Sequence, residues 1–245
     1  MLTTRRTCIA LLPILYLTLS CSSSWSQDGK ASSAVASDPS DHGTFELFSE
    51  GKSIGTEKFE IRVHSGQVQA HAEIHLRIDQ GGKTVDARTT PELVMDSQLH
   101  PLSYTWDQKG LQSSHLTIDF SSTPVHARYK TVNGEDDVRD FKLPKDVVVL
   151  DDNVLHHYQL LLDRADLAKA EKQVFQAFVP QEALPGVVTI ESAGAGPVTV
   201  GGASMNLQHF VLTTELAHIN LWVDGQHHLQ FVSAPEARFE GVRKP

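Results

Sequence analysis

The stretch VQAHAEIHLRI, residues 68–78, alternates apolar and polar side chains without interruption. Successive residues of a strand point to opposite faces of its sheet, so a period of two predicts a strand with one buried and one solvated face. The same alternation precedes this stretch, with apolar residues at Phe59, Ile61 and Val63 and charged residues between them. Half-buried strands of this kind are typical of antiparallel sheets.

Turn signals separate the alternating segments. Each contains glycine, which supplies the positive φ that tight hairpins require. They stand at Gly51-Lys52, Ser65-Gly66, Gly81-Gly82, Lys109-Gly110, Asn133-Gly134 and Asp224-Gly225. Further alternating segments follow in the middle of the chain and again near its C-terminal end. The pattern predicts a meander of long hairpins.

One segment departs from the period of two. Asp151, Asp152 and Asn153 are residue types that cap helix N-termini. Apolar residues then recur at helical spacing through about Ala168, at Val154, Leu155, Tyr158, Leu161, Leu162 and Ala165. We expect a helix near 152–168 whose wide apolar stripe lies against the concave face of the sheet. The predicted fold class is mainly β: a large antiparallel curved sheet, a half-barrel or open barrel, of long hairpins enclosing one amphipathic helix.

The first 26 residues are predicted to form a signal peptide, with Arg5 and Arg6 before an apolar run and small residues after it. Two cleavages are open. Cutting after Ser26 releases a soluble protein, whereas cutting before Cys21 gives a lipidated N-terminus, because residues 18–21 (TLSC) resemble a bacterial lipobox apart from Thr18. Both outcomes predict a periplasmic, outer-membrane-associated or secreted protein, with membrane contact only through a lipid anchor at Cys21.

Residues 27–42 are mostly small or polar and predict a disordered linker. Residues 43–245 are interpreted as a single antiparallel β domain, although this length also suits two small ones. The only cysteines are Cys8 and Cys21, so no disulfide is expected in the domain. The formal net charge of −9 becomes more negative when Arg5 and Arg6 are removed, which argues against nucleic acid as a partner.

The chain shows no catalytic signature. The segment 202–206 (GASMN) lacks the final glycine and the context of a nucleophile elbow. His71 and His75 lie on the polar face of a strand, and His156 and His157 point about 100° apart on a helix, so that only one of them could face a given site. We therefore predict solvated histidines for most positions, with His156 or His157 as the best remaining candidate for a metal ligand. The overall prediction is no metal site, no catalytic residues and no cofactor.

Three segments carry a resemblance to known proteins: 147–158 (VVVLDDNVLHHY), 178–182 (FVPQE) and 221–224 (LWVD). Together with the order of signal peptide, long hairpins, one inserted helix and further strands, they are similar to uncharacterised families of secreted bacterial cell-envelope domains. These families resemble the β half-barrels that include the lipoprotein carriers and receptors of the outer membrane. The resemblance implies a concave sheet that wraps a helix and holds an acyl chain or another apolar ligand between them.

The first functional hypothesis is therefore a non-enzymatic envelope protein that binds a lipid or acyl chain. Its candidate lining is Val154, Leu155, Tyr158, Leu161 and Leu162, with Trp106 and Trp222 as aromatic residues at the rim. Ordinary core packing explains the same apolar stripe. A second hypothesis is an interaction module that docks an envelope protein partner through a sheet edge. A third, a hydrolase using Asp or His, requires titratable groups that converge in a pocket.

Overall fold

The computed structural model describes residues 40–80, 83–110, 113–130, 134–215 and 217–244. Several predicted features lie outside the described residues: the signal peptide, Cys21, the linker as far as Pro39, the turn at Gly81-Gly82 and Asn133 of the turn at Asn133-Gly134. Within the described residues, no helix is long and apolar enough to cross a membrane.

The described residues form fifteen strands and one α-helix, with a 3-10 turn at Pro235–Ala237. The elements are β1 (Asp41–Ser49), β2 (Lys52–His64), β3 (Gln67–Gln80), β4 (Lys83–Asp96), β5 (Pro101–Lys109), β6 (Ser114–Asp119), β7 (Val125–Lys130), β8 (Asp136–Phe141), β9 (Val148–Val149), α1 (His156–Arg164), β10 (Gln173–Val179), β11 (Leu184–Val200), β12 (Ala203–Thr213), β13 (His218–Val223), β14 (Leu229–Ala234) and β15 (Phe239–Arg243).

All strands of the described residues belong to one sheet. β1 pairs with β15, so the first and last strands lie side by side in the middle of the sheet. From there, β1 to β8 follow one another outward in one direction and β15 to β9 in the other. Neighbouring strands are antiparallel, except that the two-residue strand β9 runs parallel to β10. The structure confirms the predicted fold class, a large curved open sheet of long hairpins with one helix.

The hairpin from β2 to β3 shows how local sequence sets the register. Ser65 and Gly66 both have positive φ, 51° and 79°, as the tight turn with the twist of the strands requires. The turn places Val63 opposite Val68 and Ile61 opposite Ala70. The apolar residues of the two strands therefore share one face, which becomes the inner face of the curved sheet.

The two ends of the sheet overlap through side chains. Phe178 on β10 is fully buried, although Val174 on the same face of the strand is 62% exposed. The ring of Phe141, at the end of β8, lies 4.8 Å from that of Phe178. The hydroxyl of Tyr129 on β7 donates to the carbonyl oxygen of Pro180 at 3.0 Å. Since no backbone ladder joins β8 to β9 or β10 in the described residues, the sheet rolls up but stays open.

The helix lies inside the rolled sheet and is contacted from several directions. Leu155, at its N-cap, lies against Gly241 of β15, where a Cβ atom would clash with the leucine side chain. His157 packs its ring against Tyr104 of β5. Arg164, in the last turn, lies over the ring of Phe175 on β10. The predicted enclosure of the helix by the sheet is confirmed.

The helix is shorter than predicted. It spans His156–Arg164 and not 152–168, and the predicted capping residues Asp151, Asp152 and Asn153 lie outside it. Asn153 has a positive φ of 58°, so the chain turns there before the helix begins. At the other end, the carboxylate of Asp166 accepts the backbone N–H of Ala168, a local turn that competes with continued helix.

The first strand begins at Asp41, so Asp41 and His42, which the sequence placed in the linker, lie in β1. The carboxylate of Asp41 accepts a hydrogen bond from Nη2 of Arg243 at 2.5 Å, and the guanidinium of Arg243 lies 5.2 Å from the ring centroid of Phe59. This contact ties the start of the domain to its last strand.

Candidate functional site

Five buried polar residues meet between α1 and the inner face of the sheet. They are Glu57 of β2, Tyr104 of β5, and Asp151, His156 and His157 around the start of the helix, and each is at most 2% exposed. We call them the interior polar cluster. The apolar core surrounds the cluster, so its members depend on other protein groups, and not on bulk water, for hydrogen bonds.

Glu57 supplies the cap that the helix lacks locally. No side chain close in sequence caps the helix at Leu155. Instead, Oε2 of Glu57 accepts the backbone N–H of Leu155 at 2.7 Å, and Oε1 accepts the backbone N–H of His156 at 2.9 Å. A carboxylate at this position satisfies free N–H groups and interacts favourably with the helix dipole. The cap therefore comes from a strand about a hundred residues earlier in the chain.

Glu57 also binds the side chain of His156, whose Nδ1 lies 2.8 Å from Oε1. Since a carboxylate only accepts, Nδ1 of His156 carries the proton in this contact. The other nitrogen of the ring, Nε2, is buried and has no hydrogen-bond partner. In the neutral ring this atom is an acceptor without a donor.

The second half of the cluster joins His157, Asp151 and Tyr104. The backbone N–H of Asp151 donates to Nδ1 of His157 at 3.1 Å, so the neutral ring carries its proton on Nε2. That Nε2 is also buried and without a partner. The hydroxyl of Tyr104 donates to Oδ2 of Asp151 at 2.5 Å, and the backbone N–H of Gln181 donates to Oδ1 at 3.0 Å.

Burial shifts the ionisation of this half of the cluster. Loss of hydration raises the pKa of Asp151 to about 6, although hydrogen bonds from Tyr104 and Gln181 act in the opposite direction. Burial, followed by the nearby charges of Asp151 and Glu57, raises the pKa of Tyr104 well above its ordinary value. Burial also lowers the pKa of His157 well below 6.5, with a smaller contribution from His156. The fold therefore favours the neutral forms of all three groups.

The pH dependence of stability is expected to show these shifts. Folded Asp151 keeps a proton up to about pH 6 that the unfolded chain loses near 3.8, so its contribution to the free energy of unfolding falls as pH rises through that window. His157 acts in the opposite direction, because only the unfolded ring takes up a proton as pH falls below 6.5. In Asp151→Asn only the second effect remains, and we expect its stability to fall more steeply than that of the parent between about pH 6.5 and 4.

Urea unfolding at a series of pH values measures this difference. Asp146→Asn, which changes an exposed carboxylate, is the matched control and should follow the parent curve. Parallel curves for the parent and Asp151→Asn would contradict the prediction.

Two histidines depart from the solvated position that the sequence predicts for most of them. His156 and His157 are both buried, with ring centroids 4.7 Å apart, and neither is solvated. Although the two side chains point about 100° apart on the helix, both are buried, because the sheet surrounds the helix. It offers Glu57 to His156 on one side and Tyr104 to His157 on the other. His71 is exposed and His75 is half-buried on the outer face. Within the described residues, no three His, Cys, Asp or Glu side chains are placed so that they could hold a metal ion together.

Four of the predicted ligand-lining residues lie deep in the core, each at most 1% exposed: Val154, Leu155, Leu161 and Leu162. Tyr158 is half-buried and packs against the same core. Trp106 is 6% exposed on the inner face of β5. Trp222 lies apart from these residues, on the outer face of β13, where its ring stacks on His209 and Phe231. Six of the seven therefore belong to the same buried core or pack against it.

Glu57 and Tyr104 were not predicted as site residues, although the sequence contains a signal for both. Alternate residues of β2 point to the inner face of the sheet, and Phe59, Ile61 and Val63 are among them. Glu57 stands at the preceding position of the same face, where an acidic residue interrupts the apolar row. Tyr104 shares the inward phase of β5 with Trp106. A polar residue on an otherwise apolar strand face needs a buried hydrogen-bond partner, and this makes it a candidate site residue.

A small void of about 10 Å³ lies beside the cluster. It is bounded by α1, by the end of β4 with the loop that follows it, and by β9. The helix contributes His157, Leu160, Leu161 and Arg164, which are spaced to share one face. The opposite walls are apolar: Leu93, Met95, Leu99, Pro101, Val147, Val148 and Val149. We call this feature the helix slot.

Comparison with known proteins supports the fold. No family model matches the chain, and no curated protein matches it. A solved structure of a β-barrel-like protein of the domain of unknown function DUF1849, from Brucella abortus, is similar with a TM-score of 0.56 and 9% sequence identity, covering 83% of this chain and 94% of that one. At this identity the likeness concerns the fold alone.

A second solved structure, a DUF1089 family protein from Pseudomonas aeruginosa, has a TM-score of 0.46 and 14% identity, and the match covers 74% of this chain and 90% of that one. The likeness to the DUF1849 structure alone supports the sequence-based resemblance to uncharacterised β half-barrels, at the level of architecture.

Proposed function

We propose that this protein is an exported cell-envelope protein without enzymatic activity that holds an apolar ligand, a lipid or acyl chain, between the curved sheet and α1. One observation carries the proposal: a helix of nine residues, six of them buried, occupies the interior of the sheet, which is the space that an acyl chain requires. Since Leu155, Leu161 and Leu162 fill this space, the ligand takes their place when the helix moves outward.

The attachment of the helix suits such movement. The backbone N–H groups at its N-terminal end are held by hydrogen bonds to the carboxylate of Glu57. The packed state also leaves Nε2 of both His156 and His157 buried without a partner. Each unpaired buried polar group costs about 1–3 kcal/mol, so the inward position of the helix is less stable than a fully paired one. Outward movement hydrates both rings and recovers part of this free energy.

The proposal is tested with the full-length protein purified from cells. Organic extraction followed by mass spectrometry is expected to find copurified lipid, and laurate is expected to raise the melting temperature. Glu57→Gln, which weakens the attachment of the helix, should take up a fluorescent fatty acid faster than the parent. Glu73→Gln, at an exposed position of β3, is the matched control. The absence of copurified lipid together with no thermal shift from laurate would overturn the proposal.

Export is tested by the intact mass of the protein from membrane and soluble fractions. A mass that begins at diacylated Cys21 supports the tethered form, and one that begins at Gln27 supports a soluble carrier. The unprocessed chain in the cytoplasm would contradict export.

The two other hypotheses from the sequence receive less support. Docking through a sheet edge is disfavoured at β8, because this strand is short and four of its six residues are charged, which hinders pairing with another strand. A hydrolase needs substrate to reach its titratable groups, whereas the interior polar cluster is at most 2% exposed. The cluster is therefore interpreted as the attachment of the helix.

A further inference from the structure

The mouth of the helix slot holds a guanidinium with unusual surroundings. Arg164 ends the helical face that lines the slot and is half-buried. Its Nη1 donates to the carbonyl oxygen of Val147 at 3.2 Å, and its guanidinium lies 5.8 Å from the ring centroid of Phe175. Among the described residues it forms no ion pair, in contrast to most arginines of this chain.

The acids near Arg164 are engaged elsewhere or exposed. Asp96 pairs with His100 at 3.0 Å and with Lys145 at 3.6 Å. Asp146 lies on the surface. Both carboxylates act on Arg164 only at longer range, and burial lowers the pKa of its guanidinium more than they raise it. The side chain therefore keeps several N–H donors available for an anion.

The positive charge of Arg164 and the apolar lining of the helix slot together indicate the class of ligand that would bind there. Beyond Arg164 the slot is walled by apolar side chains, with His157 as the remaining polar residue of its lining. A ligand that satisfies both parts has an anionic end and an apolar tail. Arginine binds carboxylates and phosphates through parallel hydrogen bonds, which suits either headgroup.

We propose that Arg164 binds the anionic headgroup, a carboxylate or phosphate, of a single-chain amphiphile whose tail enters the helix slot. This inference rests on the proposed function and adds the ligand class and the orientation of the ligand. Leu160 and Leu161 move aside with the helix, and the tail then contacts the walls formed by β4 and β9.

The test uses full-length protein and three probes: decanoate, 1-decanol with the same chain length but no charge, and acetate without the tail. The parent is expected to bind decanoate about tenfold more tightly than 1-decanol, as one charge-assisted contact predicts, and acetate far more weakly. In Arg164→Met the preference for decanoate should disappear while the affinity for 1-decanol is unchanged. Arg164→Lys should keep part of the preference. Arg128→Met removes an exposed arginine and should behave like the parent.

The outcomes separate this inference from the proposed function. If Arg164→Met retains the preference for decanoate, the headgroup assignment is wrong and the proposed function stands. If neither amphiphile binds to any form, the proposed function fails and this inference fails with it. If acetate binds as tightly as decanoate, the site is a simple anion site and the inference is overturned. Circular dichroism shows whether each variant is folded. If Arg164→Met does not fold, the preference of Arg164→Lys for decanoate over 1-decanol tests the headgroup assignment instead.

Discussion

Glu57→Ala is expected to lower the free energy of unfolding by about 3–5 kcal/mol, because it leaves buried donors without an acceptor. The carboxylate accepts the backbone N–H groups of Leu155 and His156 and the Nδ1 proton of His156. None of these groups reaches water, since both residues are at most 1% exposed. The loss would be a large part of the 5–15 kcal/mol typical of a domain.

Urea unfolding followed by circular dichroism measures this change. Glu57→Gln, which keeps the shape and one acceptor oxygen, should lose less than alanine does. Glu73→Ala changes an exposed glutamate on the neighbouring strand and should stay within about 0.5 kcal/mol of the parent. If Glu57→Ala and Glu73→Ala were equally stable, Glu57 would not be the cap of the helix.

Phe178→Ala is expected to destabilise the protein by a similar amount, about 3–5 kcal/mol, through the cavity left by a fully buried ring. This ring contacts Phe120 and Phe141 with centroid distances of 6.3 and 4.8 Å. Those contacts hold the β8 end of the sheet over β10, and no backbone ladder in the described residues replaces them. We therefore also expect faster amide hydrogen exchange in β7 and β8.

Val174→Ala provides the matched control, because Val174 lies on the same strand and face but is 62% exposed. Its free energy of unfolding should remain within about 0.5 kcal/mol of the parent value. Hydrogen exchange in Phe178→Ala that rises uniformly over the whole domain, with no preference for β7 and β8, would argue against a specific overlap of the sheet ends.

Much of the fold follows from local patterns. The period of two in residues 68–78 predicts β3 and its inward face, and Ser65-Gly66 predicts the turn before it. Both signals act between near neighbours, so they can be read without the tertiary structure. The helix could also be predicted, because the helical spacing of its apolar residues is a local signal, although both of its ends were predicted wrongly. The capping residues Asp151 to Asn153 form a turn, and the carboxylate that caps the helix lies on β2.

The candidate site could be predicted only in part. The apolar stripe of α1 identified Leu155, Leu161 and Leu162, because helical spacing is a local property. The burial of His156 and His157 together could not be read from their angle on the helix, since it depends on how far the sheet wraps around them. Arg164 and Val147 are 17 residues apart, and their contact depends on how the segment before the helix folds back along it.

By itself, the sequence determined the class of the fold, several of the hairpin turns, the presence of one amphipathic helix and the inward face of strands such as β2 and β3. These features depend on side-chain alternation and turn chemistry, which are set within a few residues. Only the tertiary structure decided that the sheet ends overlap at Phe178, that Glu57 caps the helix and that five polar residues meet inside. Each of these contacts joins distant segments, and its free energy depends on burial that arises only when the open sheet has curved around the helix.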